Sequence, residues 1–120
     1  MALAARQAAE RRGRLAETAA ALWLNLAGWR VLARGFRVHA GEVDLIVRRG
    51  RVTAFVEVKA RPSLDAAAEA VTPRQRQRIA RAAEAFLAAR PPRSGAILRF
   101  DVVLVRPWRL PRHVPDAWRL

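Results

Sequence analysis

Residues 41–59 read Gly41-Glu-Val-Asp-Leu-Ile-Val-Arg-Arg-Gly-Arg-Val-Thr-Ala-Phe-Val-Glu-Val-Lys59. On either side of Arg48-Arg49-Gly50-Arg51 the residues alternate with period two and are rich in β-branched side chains, the pattern of two strands joined by a tight turn. Gly50 supplies the positive φ that such a turn needs. With Arg49 and Gly50 as a two-residue loop, Val47 falls opposite Val52 and Asp44 opposite Phe55. A four-residue loop over 48–51 gives the same pairing. Alternation then puts Glu42, Asp44 and Ile46 on one face with Thr53, Phe55, Glu57 and Lys59. Val43, Leu45, Val47, Val56 and Val58 fill the other. Asp44 and Glu57 become diagonal cross-strand neighbours, close enough to share one small cation. A three-residue loop would turn one strand over and separate them.

Lys59 stands out for a second reason. Lysine and arginine together number 23, and Lys59 is the single lysine among them. Where every other cation is a guanidinium, this position asks for a compact ammonium, which can share or lose a proton when partly buried.

The chain has 120 residues, the size of one domain, and its 52% hydrophobic content is enough for a core. It contains no cysteine, so disulfides, thiolate catalysis and cysteine-based zinc sites are excluded. His39 and His113 are the two imidazoles, too few to suggest zinc chemistry. A net charge of +13 favours polyanionic partners, nucleic acid ahead of membrane. An arginine-rich genome offers an alternative source for that charge. No apolar run reaches the roughly 20 residues of a membrane span. The segment before Arg14 carries Glu10 and has no apolar signal core, so a cytoplasmic protein is expected.

Working outward, residues 4–27 have helical spacing, with Leu15, Ala19, Leu22, Trp23 and Leu26 as an apolar stripe and Gly28 as a stop. Glu17 lies off that stripe among Gly13, Ala20, Ala21 and Leu24, where a ligand or another element could approach it closely. The alternative is a solvated helix glutamate. Residues 29–39 read as a strand of uncertain register, and Arg61 to Ala68 as a loop. Thr72 and Pro73 are an N-cap and first helical residue, opening a helix to about Ala89 with Ile79, Ala82, Ala83, Phe86 and Leu87 buried. On another face of it Arg74, Arg78 and Arg81 form a row suited to phosphate contact, or else a solvated basic face. Ile97 to Val105 reads as an interior strand, with Asp101 expected to pair with an arginine. Residues 107–120 lack clear periodicity and are expected to extend from a single 1–120 domain and pack on it. Trp108 and Trp118 are expected to cover the core rather than to stack on bases.

The order helix, three strands, helix, strand gives an α/β fold with a mixed sheet flanked by helices. An acid followed about a dozen residues later by Glu-x-Lys suits phosphodiester hydrolysis. Mg²⁺ or Mn²⁺ needs few protein oxygens, Lys59 can orient water or stabilise the phosphorus, and Glu17 could hold a second metal or a metal-bound water.

Asp44 with Glu57-Val58-Lys59 resembles the PD-(D/E)xK nuclease signature, read with Glu17 as in Holliday junction resolvases. More widely, Gly13-x-x-x-Glu17, Gly41 to Ile46, Phe55 to Arg61, Ala70-Val71-Thr72-Pro73, Arg99 to Val103 and His113-Val114-Pro115-x-Ala117 together are similar to the YraN-like family of small bacterial proteins. The resemblance implies a restriction-endonuclease-like fold and DNA as substrate, with branched DNA the particular expectation. It implies Asp44, Glu57 and Glu17 as metal ligands, Lys59 as the catalytic lysine and Glu42 as support. The family has a lysine after Thr72-Pro73-Arg74 where this chain has Gln75, which can still hydrogen-bond a phosphate or water. Arg61, Arg74, Arg78 and Arg81 would contact nucleic acid, and symmetrical cutting of a junction would require a homodimer. A non-catalytic nucleic-acid-binding protein of the same fold, and a structural protein whose acids merely neutralise arginines, are the competing readings.

Overall fold

A computed structural model describes residues 2–61 and 70–120. In chain order the elements are α1 (Ala2–Leu26), β1 (Arg30–Val38), β2 (Gly41–Arg49), β3 (Val52–Ala60), α2 (Pro73–Ala89), β4 (Ile97–Val105) and β5 (Arg112–Trp118). The strands form one sheet in the order β1-β2-β3-β4-β5. Every neighbouring pair is antiparallel except β3 and β4, which run parallel and have α2 in the connection between them. This mixed sheet flanked by helices is the restriction-endonuclease-like architecture expected. The loop expected over Arg61 to Ala68 lies outside the described residues, apart from Arg61.

The hairpin keeps its parity but slides by two residues. Arg49 pairs with Val52 and Ile46 with Phe55, so Gly50 and Arg51 form the turn, Gly50 at φ 59. Val47 therefore faces Ala54, not Val52. The regular pairing stops at Leu45–Val56, and one further step along it brings Asp44 level with Glu57 rather than diagonal to it.

Two cores sandwich the sheet. Ala20, Ala21 and Leu24 of α1 pack with Trp29, Leu45, Val47, Ala54, Val56 and Val103. Ile79, Ala82, Ala83 and Phe86 of α2 pack with Val43, Ile46, Phe55, Val102 and Leu104. Val43 thus departs from the face it was expected to share with Leu45 and Val47, so alternation breaks at Asp44. Gly41 sits directly under α2. A Cβ there would stand 2.2 Å from the Arg78 carbonyl oxygen and 2.9 Å from the Ala82 nitrogen, so only glycine permits this approach.

The buried face of α1 also differs from expectation. Ala16, Ala20, Ala21 and Leu24 are buried, while Leu15, Leu22 and Leu26 are exposed. Small side chains let the helix axis come close to the sheet, and Glu17 lies beside that inner face instead of away from it. α2 begins where the sequence placed it, with Thr72 Oγ1 accepting from the Gln75 N–H at 3.2 Å and Gln75 Oε1 accepting from the Thr72 N–H at 2.9 Å. This reciprocal capping box satisfies two helix-end donors.

The C-terminal segment is part of the sheet. β5 pairs antiparallel with β4, Val102 opposite Val114 and Val103 opposite His113. Trp118 covers the core as expected, buried and stacked on Phe100 with ring centroids 5.3 Å apart. Trp108 does not: it is fully exposed, in a left-handed conformation at φ 60.

Candidate active site

Where the β2–β3 ladder ends, side chains take over from backbone. The Val58 N–H donates to Asp44 Oδ2 at 2.8 Å, which fixes the Asp44 carboxylate across the strand gap. The Glu57 carboxyl stands within interaction distance of Asp44. Burial pushes the Glu57 carboxyl up to about 9, with the Asp44 contact and its negative charge acting in the same direction and the Lys59 ammonium opposing. Two carboxylates this close cannot both ionise cheaply, so at neutral pH Glu57 keeps its proton. Lys59 follows Glu57 by two residues on β3, hence on the same side of the strand.

Glu17 approaches from α1. Burial raises its carboxyl above the ordinary range, the Asp44 charge adds to this, and Arg34 counteracts. Arg34 Nε lies 3.6 Å from Glu17 Oε1, and its Nη2 donates to Thr18 Oγ1 at 2.8 Å. Glu42 is bound on its other side by Arg37 at 3.1 Å and by Arg78 of α2 at 3.7 Å, and its charge also reaches Glu57. The structure therefore brings Glu17, Glu42, Asp44, Glu57 and Lys59 into one electrostatically coupled group. Arg34 and Arg78 tie the two helices to it. Arg34 carried no recognisable signal, because the register of β1 was unreadable from alternation alone.

The expected supporting residues divide. Gln75 has its side-chain oxygen committed to the α2 cap, so glutamine in place of lysine has a local structural use. Arg78 touches the acidic group through Glu42, whereas Arg74 and Arg81 are exposed on the same helix. Arg61 is exposed just past β3, its N–H donating to the Val105 carbonyl at 3.2 Å. Asp101 forms a separate buried centre. It accepts two bonds from Arg99 at 2.8 Å, contacts His113 Nε2 at 2.6 Å, and accepts from the Asp116 N–H at 2.9 Å. Burial acts to raise its carboxyl, but these bonds outweigh it and hold the group below the ordinary range. As expected, Asp101 pairs with an arginine.

Among the described residues, no three histidine or acidic side chains converge on a single metal position. The Asp44–Glu57 pair is a smaller donor set of the right kind. Glu57 holds a proton at neutral pH, and a hard divalent cation that keeps several waters can take that proton's place. A cavity of about 820 Å³ lies elsewhere, beside the β2–β3 turn, with Arg30, Arg48, Arg51, Arg90 and Arg93 among its lining residues. No described helix is long and apolar enough to cross a membrane.

Comparison with known sequences agrees with the resemblance noted above. The model of "Uncharacterised protein family UPF0102" matches residues 16–105, which include the whole acidic group and Lys59. A UPF0102 protein of Paramagnetospirillum magneticum is 61% identical, the match covering 97% of this chain and 93% of that protein. One from Methylorubrum extorquens is 56% identical over 98% of this chain and 91% of its own length. One from Parvibaculum lavamentivorans is 57% identical over 93% and 84%. With the family match spanning the C-terminal part of α1, α2 and the first four strands, and relatives this similar over nearly full length, the chain belongs to the UPF0102, or YraN-like, family.

Proposed function

We propose that this protein is a metal-dependent endonuclease that hydrolyses DNA phosphodiesters, with branched DNA as the favoured substrate, and works in the cytoplasm. The observation that carries this reading is the pairing of Asp44, pinned by the Val58 N–H, with the partly buried Glu57 carboxyl across the end of the β2–β3 ladder, with Lys59 two residues along the same strand. Asp44 and Glu57 would hold Mg²⁺ or Mn²⁺, which when bound offsets phosphate charge and lowers the pKa of an attacking water. Glu57 would have to release its proton to serve as a ligand. The Val58 N–H keeps Asp44 in place through this change. Lys59 donates to the phosphate or orients the water. Glu17, held by Arg34, and Glu42, held by Arg37 and Arg78, fix the boundary of the acidic group. Arg61, Arg74, Arg78 and Arg81 contact the DNA backbone without reading sequence.

Incubation with Mg²⁺ or Mn²⁺ and branched, nicked and intact duplex DNA tests the reading. Cleavage is expected in wild type and lost in Asp44→Asn and Lys59→Ala. Absence of cleavage, or equal cleavage in the variants, overturns it. The net charge of +13 favours one competing reading, a binder that does not cut. That protein would bind DNA in a salt-dependent way without metal, and Asp44→Asn would leave the affinity unchanged or tighten it.

A further inference from the structure

We infer that the loop between β4 and β5 is a contact for nucleic-acid strands carrying unpaired bases, with Trp108 stacking on a base and an arginine-lined cavity beside it receiving a phosphate. The inference rests on the nucleic-acid reading above and adds the substrate class. The loop reads Arg106-Pro-Trp-Arg-Leu-Pro-Arg112, with cationic and aromatic residues interleaved. Trp108 is fully exposed, so it contributes nothing to the core, and its φ of 60 is a conformation that bulky residues rarely adopt. Such backbone conformations collect at ligand contacts, where a side chain has to be aimed outward. An exposed ring of this kind presents a face to any base, and pairing must be open for the base to reach it.

The cavity supplies the complementary half. It holds about 630 Å³ between α1 and the loop and is lined by Trp23, Arg106, Arg109, Arg112 and His113, with no acidic residue among the described lining residues. The Arg106 Nε–H is buried and has no hydrogen-bond acceptor among the described residues. Buried donors are nearly always paired, and a phosphate oxygen is the acceptor that a cavity lined by Arg106, Arg109 and Arg112 would attract.

Placement ties this loop to the acidic group. The Arg61 N–H bonds the Val105 carbonyl, so the loop leaves the sheet beside the end of β3 that carries Lys59. Trp23 is six residues beyond Glu17 on α1, about 9 Å along the helix axis. A strand lying over Asp44 and Glu57 can therefore reach the loop within a few nucleotides.

Binding in EDTA, where no metal-dependent cutting occurs, provides the test. Fluorescence anisotropy would be measured with a labelled single strand of about 12 nucleotides and a duplex of the same length. Trp108→Ala should weaken single-strand binding about tenfold and duplex binding less than about twofold, with Trp108→Phe restoring most of the loss. Arg106→Gln should lower the salt slope of single-strand binding by about one. Unchanged single-strand affinity in Trp108→Ala, or equal losses on both ligands, overturns the stacking role while leaving DNA binding in place. An unchanged salt slope in Arg106→Gln overturns the cavity's part. If wild type binds neither ligand, the nucleic-acid reading fails as well.

Discussion

Replacing Glu57 by glutamine tests the acidic pair through stability alone, without a substrate. The wild-type carboxyl is raised from 4.5 to about 9 by burial and by Asp44. Between those values the folded chain holds a proton that the unfolded chain has released. The stabilisation is therefore complete below pH 4.5 and is lost as pH rises through about 9. The limiting slope is about 1.4 kcal/mol per pH unit, which over the whole interval gives a ceiling of about 6 kcal/mol. Glu57 is only partly buried, and solvent screening reduces the effect to roughly 2 kcal/mol. Glutamine keeps the shape, offers Asp44 an N–H donor and does not titrate. Melting curves of both proteins from pH 4.5 to 8.5 in EDTA isolate this group, because all other ionisations are common to the two. By pH 8 the variant should melt roughly 8 °C above wild type, taking about 4 °C per kcal/mol for a domain of this size. The gap should close toward pH 4.5, and also on adding Mg²⁺, which stabilises only wild type. Parallel pH profiles, or a variant that is less stable at pH 8, would refute the reasoning.

Three further outcomes follow from particular contacts. Asp44→Ala removes the acceptor for the Val58 N–H while Asp44→Asn keeps one, so in thermal melts Ala should be less stable than Asn by about 1–2 kcal/mol. Asp101→Asn breaks a buried charge bound by Arg99 and His113 and should cost about 3 kcal/mol in urea unfolding at pH 7. Because the Asp101 carboxyl is held below its ordinary value of 3.8, that stabilisation is present above pH 3.8 and lost as pH falls through the lower folded value. Gly41→Ala forces a methyl against the α2 backbone and should destabilise by about 3 kcal/mol in denaturant titration, since helix atoms cannot rotate aside as a side chain would.

The hairpin and its acids were legible because alternation survives a register shift of two: sliding the turn from Arg49-Gly50 to Gly50-Arg51 left Asp44 and Glu57 together. The α2 start was equally plain, because Thr72 and Pro73 act locally. What was illegible depended on neighbours distant in sequence. The inner face of α1 is alanine because the sheet lies close beneath it, whereas ranking by hydrophobicity selected Leu15, Leu22 and Leu26, which are exposed. Val43 changes sides where β2 parts from β3, an event no local pattern encodes. β5 contains Pro115, which argues against a strand in an interior position but is tolerated at a sheet edge. Its pairing partner, β4, defines it. Trp108 looked like core by residue type and is exposed through backbone conformation.

Calorimetric titration of Mn²⁺ into wild type and Asp44→Asn at pH 7.5, repeated in two buffers of different ionisation enthalpy, examines the acidic pair most directly. Wild type should bind the ion with release of about one proton, the one held by Glu57, and Asp44→Asn should show neither heat nor proton release. Binding that is the same in both proteins, or no binding by wild type, would contradict a cation site at this pair.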